Sequence, residues 1–199
     1  MFIIHFFTGS ILGIISGILI GLFLIAVIFS ATTMALMATG GPSACTPESG
    51  ELQITQANSD AFQQKWDAFD AGLEAGQAGS VTFTESEIAS RAKSWVNEED
   101  APFEDIRVCL HDDAGEASAT VSVVGFDVKF KIRGTLDLSG EKAKADIEDI
   151  SIGNVPGFML APAEAIVSRA LEDALNDQEI EHDYGLEFEP GEATVSGTP

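Results

Sequence analysis

Charge is missing from the first 47 residues of this 199-residue chain: no Lys, Arg, Asp or Glu occurs before Glu48. Basic side chains are scarce throughout, 10 against 32 acidic ones, which gives a formal net charge of -22 at pH 7. Neutralising a phosphate backbone needs a stripe of Lys and Arg, so this balance excludes a nucleic-acid partner and argues against docking on an anionic membrane surface. Cysteine is limited to Cys45 and Cys109, and the three histidines are isolated, so zinc patterns such as C-x-x-C or H-E-x-x-H are absent. Also absent are G-x-S-x-G, the phosphate loop and G-x-G-x-x-G, which position a nucleophile, a nucleotide or a dinucleotide. The expectation is a protein that is not an enzyme and uses no metal or cofactor. Asp112-Asp113-Ala114-Gly115-Glu116 lacks the spaced ligands of a calcium loop and reads as a solvated turn.

What is present divides between two solvents. Residues 11–29 read ILGIISGILIGLFLIAVIF, long enough as a helix to cross the ~30 Å core of a bilayer. We therefore expect a transmembrane anchor over residues 1–37, a Gly/Pro/Ser-rich juxtamembrane linker over 38–50, and an exported acidic α+β domain over 51–199. A cleaved signal would want a basic residue ahead of the apolar run, and the first one is Lys65. Gly9, Gly13, Gly17 and Gly21 recur every four residues, a small-residue ridge that suits packing of a transmembrane homodimer. The expected location is the cell membrane, single-pass, with the C-terminal domain outside the cytoplasm. In an oxidising compartment Cys45 and Cys109 could pair, and a free buried thiol at Cys109 is the alternative.

Within the domain, Phe62, Trp66, Phe69 and Leu73 fall at helical spacing behind a cap-like Asn58-Ser59-Asp60, after a short strand suggested by Leu52 and Ile54. Thr84-Glu85-Ser86-Glu87 is a capping box that opens a second helix with Ile88, Ala92, Trp95 and Val96 on its apolar face. Two strands on either side of Asp112-Asp113 form a hairpin. Residues 126–139 alternate strictly, with Phe126, Val128, Phe130, Ile132, Leu136 and Leu138 on one face and Lys129, Lys131 and Arg133 on the other. Those basic groups are expected to neutralise Asp and Glu on adjacent strands. In the return strand the apolar phase shifts between Ile147 and Ile150, which predicts a β-bulge. A third helix is expected over residues 163–175, and a hairpin turning at Pro190-Gly191 closes the chain.

The run Phe83-Thr84-Glu85-Ser86-Glu87-Ile88, then Asp105-Ile106-Arg107-Val108, the strand segment Gly134-Thr135-Leu136 and the helix over 163–175 resemble small bacterial membrane-anchored envelope proteins. These are the YpmS-like group and the YceB-like lipoproteins, related to tubular lipid-binding (TULIP) domains. The resemblance implies a curved antiparallel sheet packed on a long helix, with an apolar trough that accepts acyl chains. Its candidate lining is Phe126, Val128, Phe130, Ile132, Leu136 and Leu138 on the long strand. Ile166, Val167 and Leu171 lie on the helix, with Trp95 and Phe158 as a wall or mouth. The expected function is binding of a lipid or other amphiphile in that groove by a membrane-anchored envelope protein. The alternative is a membrane-tethered interaction or scaffold protein assembled through its glycine ridge.

Overall fold

The computed structural model describes residues 40–98, 103–123, 126–138, 144–154 and 182–199. The described elements are helix α1 (Gln56–Glu74), strand β1 (Gly79–Thr84), helix α2 (Glu85–Glu98), and strands β2 (Phe103–His111), β3 (Ala114–Val123), β4 (Phe126–Asp137), β5 (Lys144–Ile152), β6 (Asp183–Glu189) and β7 (Glu192–Thr198).

Helix α1 is capped by Thr55, whose side chain accepts the Asn58 amide, while Asn58 turns its own side chain back to the Gln53 carbonyl. The cap therefore lies three residues before the expected Asn58, and Asn58, Ser59 and Asp60 belong to the first turns of the helix. Its buried stripe is Ser59, Phe62, Trp66, Phe69 and Leu73. Gly76 at φ 77° ends the helix in a Schellman motif, with the Gln77 amide donating to Gly72 and the Gly76 amide to Leu73. Helix α2 starts with the capping box: the Thr84 amide donates to the Glu87 carboxylate at 2.9 Å, and the Glu87 amide to the Thr84 hydroxyl at 3.3 Å.

The strands form two antiparallel sheets, ordered β1-β7-β6 and β2-β3-β4-β5. Alternation along β4 survives intact, and β5 carries the bulge: Arg133 pairs with Asp149 but Gly134 pairs with Ile147, leaving Glu148 as the extra residue. The bulge pushes the β5 backbone towards β4, so that a Cβ on Gly134 would run into the Asp146 carbonyl. Two further departures from regularity are Asp105 at φ 50°, inside the register shift of β2, and Asp113 at φ 63° in the β2–β3 turn. Both are Asp, whose short polar side chain tolerates the left-handed region.

This arrangement corrects the expected fold. The described chain is mostly strand, with seven strands against two helices, and it is built from two separate sheets rather than one curved sheet packed on a long helix. Alternation shows that a strand has a dry face and a wet face, and is silent on its partner. Here the closing hairpin pairs with β1, at the start of the domain, instead of extending the sheet of β4. The segment around Leu52 and Ile54 is not a strand: the Gln53 and Thr55 amides donate to the Ser86 and Ser90 hydroxyls, and Ile54 is exposed. Residues 163–175, with Ile166, Val167 and Leu171, and also Phe158, lie outside the described residues. The transmembrane expectation is corrected likewise: among the described residues no helix is long and apolar enough to cross a membrane. Residues 1–37, including Gly9, Gly13, Gly17 and Gly21, lie outside them.

The main packed core joins α1 to the first sheet. Phe62, Trp66, Phe69, Leu73, Phe83, Tyr184 and Val195 meet Leu138 there, with the Phe62 and Phe83 rings stacked at 4.3 Å and Trp66 edge-on to Phe69 at 5.7 Å. Each such side chain contributes about 1.5–3 kcal/mol on burial. Contact is close enough that a Cβ on Gly197 would come within 2.8 Å of Leu73 and 2.9 Å of Phe69.

Candidate functional site: an apolar cavity between the sheets

The apolar face of the second sheet has a floor of small residues. On β3, Gly115, Ala117 and Ala119 stand opposite Gly134, Ile132 and Phe130 of β4, and Ala117 also pairs with Val108 of β2. With little side chain rising from the centre of this floor, the opposing elements do not meet it. Phe62 of α1, Ile88 and Ala92 of α2, and Leu186 and Phe188 of β6 look onto it from across a cavity of about 180 Å³ whose surface is almost wholly carbon. The cavity is only partly enclosed, so its walls are apolar surface that gains about 25 cal/mol per Å² when hydrocarbon takes it out of water. The chemistry available here is hydrocarbon binding.

Of the residues proposed from sequence, Phe130, Ile132, Leu136 and Leu138 line the cavity. Val128 and Trp95 are buried but do not line it. Phe126 pairs with Val123 at the start of β4, and its side chain lies outside the described part of the structure. The rest of the wall was missed: Leu110 beside the floor and Phe83, Leu186, Phe188 and Val195 of the other sheet read in the sequence as ordinary strand positions. The only available signal was the run of small residues at Gly115, Ala117 and Ala119, one dry face of a strand that supplies no bulk.

One end of the site is organised by Glu85, the first residue of α2. Its carboxylate is fully buried and accepts the Leu110 amide at 2.7 Å, the Ser49 and Glu48 amides at 3.1 and 3.2 Å, and the Ser49 hydroxyl at 2.5 Å. Burial alone would raise its pKa, but the Ser49 hydroxyl and the Leu110, Ser49 and Glu48 amides outweigh it and hold the carboxyl below its ordinary 4.5. The Glu85 amide donates to the Gly191 carbonyl, and the Gly191 amide donates to the Leu110 carbonyl, both at 3.0 Å. One carboxylate thus ties α2 to the second sheet and to residues 48–49, while its own amide joins α2 to the turn of the last hairpin. Leu110 is both a partner in this network and a cavity wall.

The other face of the floor is covered as well. Residues 40–50 have no helix or strand, yet they run along the sheet: Gly41 sits against Lys129 and Gly153, the Cys45 amide donates to the Ser118 hydroxyl, and Cys45 is disulfide-bonded to Cys109. The Cα atoms of that pair are 6.0 Å apart and both cysteines are buried. This covering explains why Glu116, Ser118 and Thr120 are buried on the polar face of β3. Lys131 pairs there with Glu116 at 3.3 Å, Arg133 with Glu148 at 3.0 Å, and His111 with Glu48 at 2.9 Å. Two of the three strand cations thus face carboxylates of neighbouring strands. Among the described residues no three His, Cys, Asp or Glu side chains converge as metal ligands.

No protein-family model, curated protein or solved structure matches this chain.

Proposed function

We propose that the domain binds the hydrocarbon part of a small lipid or other amphiphile between its two sheets, without covalent chemistry. The observation that carries this reading is the cavity of about 180 Å³ over the Gly115-Ala117-Ala119 floor. A partly open cavity with so little polar surface offers water almost no hydrogen bonds, and filling it with hydrocarbon contributes about 0.8 kcal/mol per buried methylene. We further propose that the domain works outside the cytoplasm, since the buried Cys45–Cys109 disulfide forms and persists in oxidising compartments.

The test is native mass spectrometry and lipid extraction of the purified protein, with displacement of a fluorescent fatty acid as the equilibrium readout. Ala117→Leu introduces bulk into the floor and is expected to abolish displacement while the fold persists. A protein that purifies empty and ignores the fluorescent probe would overturn the proposal, as would unchanged binding by the filled variant.

A further inference from the structure

We propose that the Glu85 carboxylate is a proton-operated clamp on the cavity: ionised, it holds three walls at the spacing a hydrocarbon tail fits, and on protonation it lets the tail go. The inference rests on the reading that the cavity takes such a tail. It concerns the regulation of that site and needs no contact between Glu85 and the ligand.

Three elements that line the cavity meet at this carboxylate. Helix α2 begins at Glu85 and presents Ile88 and Ala92, one and two turns further on. Strand β2 contributes Leu110, and the last hairpin contributes Phe188 and Ala193 on either side of Gly191. Their hydrogen bonds close a ring. The Glu85 amide donates to the Gly191 carbonyl and the Gly191 amide to the Leu110 carbonyl, both at 3.0 Å, and the Leu110 amide returns to the Glu85 carboxylate at 2.7 Å. Only this last link runs through a group that titrates.

The remaining neighbours of the carboxylate are donors as well: the Glu48 and Ser49 amides and the Ser49 hydroxyl. Main-chain amides cannot accept a proton in return. Protonation therefore sets a buried O–H against fixed N–H groups, and the ring relieves that mismatch by opening at Leu110, away from α2. Other titratable groups nearby are engaged elsewhere or lie on the surface. Glu48 pairs with His111 at 2.9 Å, Glu87 pairs with Lys65 at 2.8 Å, and Glu189 and Glu192 beside the hairpin turn are exposed.

The sign follows from linkage. Ionised Glu85 favours the form that holds the tail, so affinity is full above the ordinary 4.5 of a Glu and is lost as pH falls through the lower value that the Ser49, Leu110 and Glu48 donors impose.

Calorimetric titration of the full chain with octanol, a tail whose head does not titrate, tests the clamp. Wild-type affinity is expected to be constant from pH 7 to about pH 4.5 and to fall about tenfold below it, with near-UV circular dichroism unchanged. In that acid range binding is expected to release a fraction of a proton, read from titrations in buffers of different ionisation enthalpy. Glu85→Gln is expected to bind octanol about tenfold more weakly than wild type at pH 7, with no further loss in acid and no proton release. Ser49→Ala removes one donor and keeps the ring, so its affinity is expected to fall at a higher pH than that of the wild type. Equal wild-type affinity at pH 7 and in acid, or full affinity in Glu85→Gln, overturns the clamp and leaves the tail site standing. Absence of octanol binding at pH 7 overturns the tail site, and the clamp with it. Where acid unfolds the chain before affinity falls, the pH 7 affinity of Glu85→Gln decides. Should that variant fail to fold, the Ser49→Ala midpoint decides, and one no higher than that of the wild type overturns the clamp.

Discussion

The interior of this domain has two parts built from the same kind of amphipathic element, one filled and the other hollow. Where α1 meets the first sheet, Phe62, Trp66, Phe69, Phe83 and Tyr184 interlock with ring centroids 4.3–6.5 Å apart. Across the second sheet, Gly115, Ala117, Ala119 and Gly134 face the same side and, among the described residues, leave a partly open space of about 180 Å³. The difference teaches that apolar alternation specifies a face, while side-chain volume on that face decides whether it becomes core or site. Native cores are packed to crystal density, so the hollow half is the exceptional one.

The contrast can be broken most directly at Trp66. Trp66→Ala is expected to cost about 4 kcal/mol by urea denaturation, as for other large-to-small changes in filled cores. A cost below about 1 kcal/mol would mean that this half is hollow too. Next in size is the disulfide, which closes a loop of sequence separation 64. Replacing Cys45 and Cys109 together by Ala is expected to destabilise the domain by about 4 kcal/mol through unfolded-state entropy. Because residues 40–50 cover the outer side of the cavity floor, the double variant is also expected to bind the fluorescent fatty acid more weakly. Unaltered binding would show that the floor holds its shape without that covering.

Glu85→Gln comes third, at about 2–3 kcal/mol, since an amide in that place sets its NH2 group against backbone donors that need an acceptor. A group whose folded pKa is depressed contributes stability that is present above its unfolded pKa and lost as pH falls through the folded value. The stability gap between wild type and Glu85→Gln should therefore be constant above about pH 4.5 and narrow below it. A gap independent of pH down to acid unfolding would remove Glu85 from its role as the anionic tie. The smallest effect is expected in the hollow half: Ala117→Leu should leave stability unchanged or raise it by about 1 kcal/mol, because added methylenes enter empty space. A loss of 2 kcal/mol or more, typical of overpacking, would mean that the void is already filled.

Several elements were legible from residue order because their causes are local. Thr84 and Glu87 satisfy each other's amides within one turn, and the phase shift between Ile147 and Ile150 reports an extra residue in β5 whatever the strand pairs with. One strand's share of the cavity wall was legible for the same reason, since Phe130, Ile132, Leu136 and Leu138 occupy one face of an alternating strand. The side facing it was not. Leu186, Phe188 and Val195 oppose them only because β7 pairs with β1, a contact between residues more than a hundred positions apart that no local pattern encodes.

The Gly/Pro/Ser-rich composition of residues 38–50 illustrates the same limit. It reads as a linker, and the described residues 40–50 form no helix or strand, yet they are stitched to the domain by Glu85, Ser118 and Cys109. Glu85 itself was visible only as the second residue of a capping box. Its buried role depends on Leu110, 25 positions away, and on Glu48 and Ser49 arriving from the other side.

Periodicity, caps, turns and charge balance thus came from the amino-acid order, because each arises between residues a few positions apart. The division into two sheets, the space between them and the burial of Glu85 were decided by the tertiary structure. These depend on which distant surfaces meet and how well their volumes match, and pairing and volume are properties of the assembled interior.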